Sequence, residues 1–209
     1  EPPYPGCESR KYPIDIFVGH WTGGEANQKS ADVDFPRVYT NLRNRHDKDG
    51  FPMPLSVDFI INSAGEILQC ADPNETVCYH AGKVNVRAIG VEIVNPGNGQ
   101  EVAARPRENI VTKVRGKELK QCLYYPAQLD AYLFLCEHVS KTYGIPKVIP
   151  PNELMAKPYV KEFRGFVEHY QVASTKVDGG NQLNTHLLAN GWAMDGEEPK
   201  PKPKKSAPR

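Results

Sequence analysis

An α/β fold, a mixed central β-sheet flanked by helices in a single domain, is what the sequence predicts, on three observations. Segments at 14–18 and 88–94 carry the two-residue apolar alternation of strands. The segment 126–143 carries apolar residues at helical spacing. The two kinds of element interleave along the chain instead of segregating, which is the α/β pattern.

Taken in order, residues 1–13 hold several prolines and a glycine and read as an irregular lead-in before a domain spanning 14–195. Ile14, Ile16 and Val18 then alternate with Asp15, Phe17 and Gly19, and this strand delivers His20 at its end. Thr22-Gly23-Gly24 breaks the pattern, and a polar stretch follows with a short helix from Phe35 to Arg43 and a turn at Asp49-Gly50. Val57 to Ile61 is rich in β-formers; Asn62-Ser63-Ala64-Gly65 supplies a turn, and Glu66 to Gln69 returns as a hairpin arm. In the second clear strand, Ile89, Val91 and Ile93 share one face, while Ala88, Gly90, Glu92 and Val94 share the other. The charged excursion from Asn95 to about Lys120 is too long for a plain connection and reads as a functional loop or insertion. Pro126 suits a first helical turn, Leu129, Tyr132, Leu133, Cys136 and Val139 form one stripe, and Gly144-Ile145-Pro146 stops the helix. Val148-Ile149 suits a short strand and Leu183 to Ala189 a terminal helix, and the Pro- and Lys-rich stretch 196–209 reads as a disordered tail.

Composition narrows the function classes. With 209 residues, 39% hydrophobic and 24% charged, the chain is long enough to bury a core and reads as globular. A net charge of +1 gives no electrostatic footprint for nucleic acid. No apolar run approaches the roughly 18 residues of a membrane span. The start at Glu1 without a signal peptide fits a mature secreted protein or a trimmed chain. Five cysteines without a CxxC pair exclude a Cys-based zinc site; Cys70 and Cys78 lie close enough in sequence to bridge a short loop, and Cys136 reads as a core residue.

The chemistry gathers where strands end. His20 ends the first strand, His169 ends a short apolar run, and Asp178 lies in the glycine-rich turn Asp178-Gly179-Gly180. Two imidazoles and a carboxylate form a hydrolytic zinc set, three protein ligands leaving a fourth position for water. Taken singly, such a histidine is more often structural and such an aspartate belongs to turn chemistry. His46, His138 and His186 have no supporting context and read as structural or solvated.

Five segments in order strengthen the reading. Gly19-His20-Trp21-Thr22-Gly23-Gly24, Tyr79-His80-Ala81-Gly82, Asn85 with Ala88-Ile89-Gly90-Val91-Glu92-Ile93, Pro126-Ala127-Gln128 with its helix and exit, and His169 through Gly179 cover roughly residues 14 to 192. Together they resemble the type 2 N-acetylmuramoyl-L-alanine amidases, the superfamily that includes phage lysins and peptidoglycan recognition proteins. The resemblance implies one zinc ion on His20, His169 and Asp178. It implies Glu92 as general base and Lys176 as a charge aimed at the oxyanion. His80, Asn85 and Trp21 follow as substrate-binding candidates on the cleft walls. It implies a monomer acting on peptidoglycan or muropeptides outside the cytoplasm, or as a phage-encoded lysin. Ser56-Val57-Asp58-Phe59 stands where some members carry a catalytic tyrosine, which leaves the burden on Glu92, with Asp58 reaching the cleft or capping the strand. Ser174 and Gly179 replace two prolines of the pattern and loosen the ligand loop. The alternative within the superfamily is a non-catalytic peptidoglycan-binding receptor, which usually lacks a ligand; all three positions are filled here. A zinc peptidase acting within the stem is the third reading, and its usual HExxH helix is absent from the sequence.

Overall fold

In the computed structural model, residues 7–23, 34–46, 49–97 and 108–197 are described. The first elements are β1 (Cys7–Ser9), β2 (Ile16–Trp21), α1 (Asp34–Arg43), β3 (Phe59–Ile61), β4 (Ile67–Gln69) and β5 (Thr76–Cys78). A 3₁₀ turn (Gly82–Arg87) leads into β6 (Ala88–Ile93), followed by β7 (Asn109–Val114) and β8 (Lys117–Cys122). Then come α2 (Pro126–Tyr143), β9 (Val148–Ile149), α3 (Lys157–Glu162), β10 (Gly165–Glu168), α4 (His169–Val172), α5 (Gln182–Ala189) and β11 (Ala193–Met194).

The central sheet runs β10-β2-β6-β3-β4, with β10, β2, β6 and β3 parallel and β4 antiparallel at one edge. This is the mixed sheet the sequence predicts. Every residue of β2 and β6 is buried, as expected of parallel strands covered on both faces. One face carries Phe17, Ile89, Val91, Ile93 and Phe166 against Tyr132, Leu135, Cys136 and Val139 of α2 and Leu183 and Leu187 of α5. The opposite face begins with Ile16, Val18, Ala88 and Val167, which pack against Val84, Met155 and Phe163. Following that face toward the carboxyl ends of the strands, the apolar residues give way to His20 and Glu92. The crevice there is the usual ligand position of an open α/β sheet.

α2 occupies the predicted range, with Gly144 in the left-handed region at φ 66° as its C-cap. Gln128 in its first turn donates to the carbonyls of Asn62 and Val94, tying the helix start to the ends of β3 and β6.

Three expectations change. The lead-in is not wholly irregular: β1 pairs antiparallel with β5, and the Arg10 guanidinium donates to the carbonyls of Thr76, Val86 and Ala88. The excursion contains a hairpin, β7–β8, turned by Arg115 and Gly116 at φ 52° and 76°, as in the type I′ turns that match strand twist. Cys70 and Cys78 are not bridged; the Cys78 thiol hydrogen-bonds Asp58 instead. Residues 198–209 of the proposed tail lie outside the described residues.

Candidate metal centre and cleft

Register positions the first half of the site. His20 of β2 lies directly opposite Glu92 of β6, so both side chains leave the sheet on the same face, and Ile60 of β3 lies on the other side of Glu92. The second half comes from the segment after β10. His169 opens α4, and the chain returns through Lys176 and Asp178 before entering α5.

The three predicted ligands converge. The Asp178 Oδ2 lies 3.0 Å from His20 Nδ1 and 2.8 Å from His169 Nδ1. One ligand atom from each residue falls within 4.8 Å of the others, and the two imidazole rings stand 4.4 Å apart, edge to face. Burial, reinforced by the neighbouring His169, lowers His20 to about 4 and keeps its ring neutral. Burial alone would raise Asp178, but its bonds to His169 and His20 outweigh that and hold the carboxyl well below the usual range. A neutral imidazole beside an ionised carboxylate is the protonation state that a divalent cation requires. The donor set therefore fits a metal ion.

Around the three lies a cleft of about 260 Å³. Glu92, Lys176, His80 and Trp21 line it; Asn85 does not. The Asn85 Oδ1 instead accepts the backbone N–H groups of His80 and Ala81, shaping the turn that carries His80. His80 does more than line the wall: its Nδ1 lies 3.0 Å from His20 Nε2, and burial lowers its pKa well below the usual value. A Cβ on Gly90 would stand 2.7 Å from the His80 ring, so this glycine makes room for the imidazole. Asp58 is fully buried and does not reach the cleft; it accepts the Gly90 N–H at 2.8 Å, and burial raises it to about 7.

Two parts of the site escape sequence reasoning. The far wall comes from Val38, Asn41, Leu42 and Arg45 in and just after α1, with Leu55 and Val57; the only signal for α1 was its helical pattern. The second part is Glu168, a buried carboxylate next to His169 that accepts the N–H groups of Asn181 and Asn184 and so fastens the start of α5. Burial raises it to about 8. Its signal was an acid inside an apolar run. Gly179 sits at φ 91°, which proline cannot adopt, and a Cβ there would lie 2.4 Å from the Glu168 carboxylate. His46 and His138 are exposed, His186 is half-buried, and none of them lines the cleft.

The family model described as N-acetylmuramoyl-L-alanine amidase matches residues 10–181. The chain belongs to that family. No curated protein matches it in sequence. Among solved structures, Drosophila peptidoglycan recognition protein SD is similar with a TM-score of 0.55 and 18% identity, over 90% of this chain and 87% of that one. Wild-type Drosophila peptidoglycan recognition protein LB gives 0.53 and 18%, over 88% and 84%. The ectodomain complex of recognition proteins LCa and LCx bound to tracheal cytotoxin gives 0.54 and 15%, over 92% of each chain. At these identities the likeness shows the family fold. Among the described residues no helix is long and apolar enough to cross a membrane.

Proposed function

We propose that the protein is a zinc amidase that hydrolyses the bond between N-acetylmuramic acid and the L-alanine of the peptidoglycan stem. The catalytic unit would span residues 14–195. The observation that carries this reading is the convergence of His20, His169 and Asp178 within 4.8 Å, in a cleft that also holds Glu92 and Lys176. These three residues would hold one zinc ion, which supplies Lewis acidity that brings the pKa of water toward neutrality.

The chain's own groups account for the rest. Glu92, opposite His20 in the sheet, takes the proton of the attacking water as general base. The same carboxyl then returns a proton to the leaving amine of alanine. Lys176 places a positive charge beside the oxygen that becomes negative as the carbonyl carbon turns tetrahedral. His80 orients the His20 ring through its Nδ1. The apolar wall of Val38, Leu42, Leu55 and Val57 suits the lactyl and alanyl methyl groups that flank the scissile bond. This substrate lies outside the cytoplasm, so the protein would act in an extracytoplasmic compartment or as a phage-encoded lysin.

The test is digestion of defined muropeptides followed by mass spectrometry. The amidase reading expects an intact stem peptide with N-terminal alanine. A stem cut into fragments would mean a peptidase, and binding without any product would mean a receptor. Glu92→Ala should lower kcat by about 10²–10⁴ while leaving one zinc bound; turnover at the wild-type rate would remove Glu92 from its role.

A further inference from the structure

The β7–β8 hairpin touches the ligand loop at three carbonyls. Arg115, at the hairpin tip, donates from one guanidinium nitrogen to the Ser174 carbonyl at 2.7 Å and from the other to the Lys176 carbonyl at 2.8 Å. Near the base, the Thr112 hydroxyl and the Gln121 amide both donate to the Gly180 carbonyl, at 2.7 and 2.6 Å. Gln121 is fully buried, and it also bonds the Thr112 hydroxyl. A Cβ on Gly180 would fall 1.9 Å from the Gln121 amide oxygen, so strand and loop are in tight apposition.

The placement of these contacts is informative. The loop from His169 to Gln182 has no proline to fix its backbone, and it carries two adjacent glycines, Gly179 and Gly180. The outermost of the hairpin's anchors are the carbonyls of Ser174 and Gly180. Between those two anchors lie Lys176 and Asp178. The arginine is also held at φ 52°, a conformation that costs a non-glycine residue energy and persists where the surroundings enforce it. Asparagine suits that turn position better than arginine, so turn formation does not account for the residue found there.

We propose that the hairpin braces the metal loop, with Arg115, Thr112 and Gln121 as positioning residues that hold Asp178 and Lys176 on the cleft. The proposal rests on the zinc reading above and adds what keeps the loop in place.

The experiment compares wild type with Arg115→Asn, Arg115→Lys and Thr112→Val. It measures zinc affinity by competition with a chromogenic chelator, the Tm of the metal-free protein, and kcat and KM on a muropeptide. Arg115→Asn relaxes the turn, so the metal-free Tm should hold or rise. Its zinc affinity should nonetheless fall about 10-fold or more, the usual cost of losing an outer-shell contact, and its kcat should fall with it. Arg115→Lys keeps a donor and should recover part of the affinity; Thr112→Val should lose only a few-fold, because Gln121 still holds Gly180. If wild type binds zinc and Arg115→Asn binds it equally tightly with unchanged kcat, the brace is overturned and the zinc reading stands. A lower metal-free Tm in Arg115→Asn would make the arginine a fold contact and also overturn the brace. If wild type takes up no zinc, the metal reading itself fails and the brace falls with it.

Discussion

The two halves of the site are held in different ways. His20 and Glu92 sit on neighbouring central strands, fixed by sheet register, with buried residues on both faces of each strand. His169, Lys176 and Asp178 sit on a short helix and a turn, fixed by side chains that reach across to backbone carbonyls and N–H groups. Moving a strand residue requires the sheet to slip by a whole register step, which would turn every side chain to the other face. A loop residue can move by fractions of an ångström when one hydrogen bond is lost. The strand half should therefore respond to change all or none, and the loop half by degrees.

Removing the candidate ligand on the strand is the strongest test of that contrast. His20→Ala should bind no zinc and show no measurable turnover, as read by metal analysis and muropeptide digestion; retained stoichiometric zinc would break the assignment. In the loop half, Lys176→Met should keep its zinc and lose about 10²-fold in kcat with KM little changed. A drop in zinc content there would mean that the lysine supports the metal loop instead of the oxyanion.

The smallest effect on turnover should come from Asp58→Asn, which probes the support beneath β6. Burial raises the folded-state Asp58 carboxyl to about 7, against about 3.9 in an unfolded chain. The folded protein thus binds this proton more tightly than the unfolded one. Its contribution to stability is full below about pH 4 and is lost as the pH rises toward 7. Replacing Asp58 by Asn should flatten that part of the curve, shrinking the stability difference between pH 5 and pH 8 by roughly 2–3 kcal/mol in urea unfolding. An unchanged slope would show that Asp58 is ionised in the folded state.

The same contrast explains what could be read from the sequence. β2, β6 and α2 announced themselves because burial imposes a period on residue type, and the candidate ligand His20 came with its strand. The alternation also told which face carried Glu92. β7 and β8 were missed because their outward residues are polar and no apolar stripe marks them, although Ile110-Val111-Thr112 before Arg115-Gly116 was a usable hairpin signal. The role of Asn85 could not be inferred from its neighbours in sequence, since its partners are the backbone N–H groups of a turn that forms only in the fold. The wall from α1 was hidden for a related reason: a helix pattern says which side is apolar, and not what stands across from it.

The pairing of His20 with His80 has a consequence for protons. With Asp178 ionised and His20 neutral, the carboxylate can only accept, which assigns the His20 hydrogen to Nδ1 and leaves Nε2 to accept from His80 Nδ1. If a cation were held through Nδ1, the His20 hydrogen would have to move to Nε2, and His80 would then carry its own hydrogen on its Nε2. That last nitrogen is buried with no acceptor facing it among the described residues. Loading the site would thus switch the tautomer of two rings together, and part of the binding energy would be spent on burying one N–H bond that nothing satisfies.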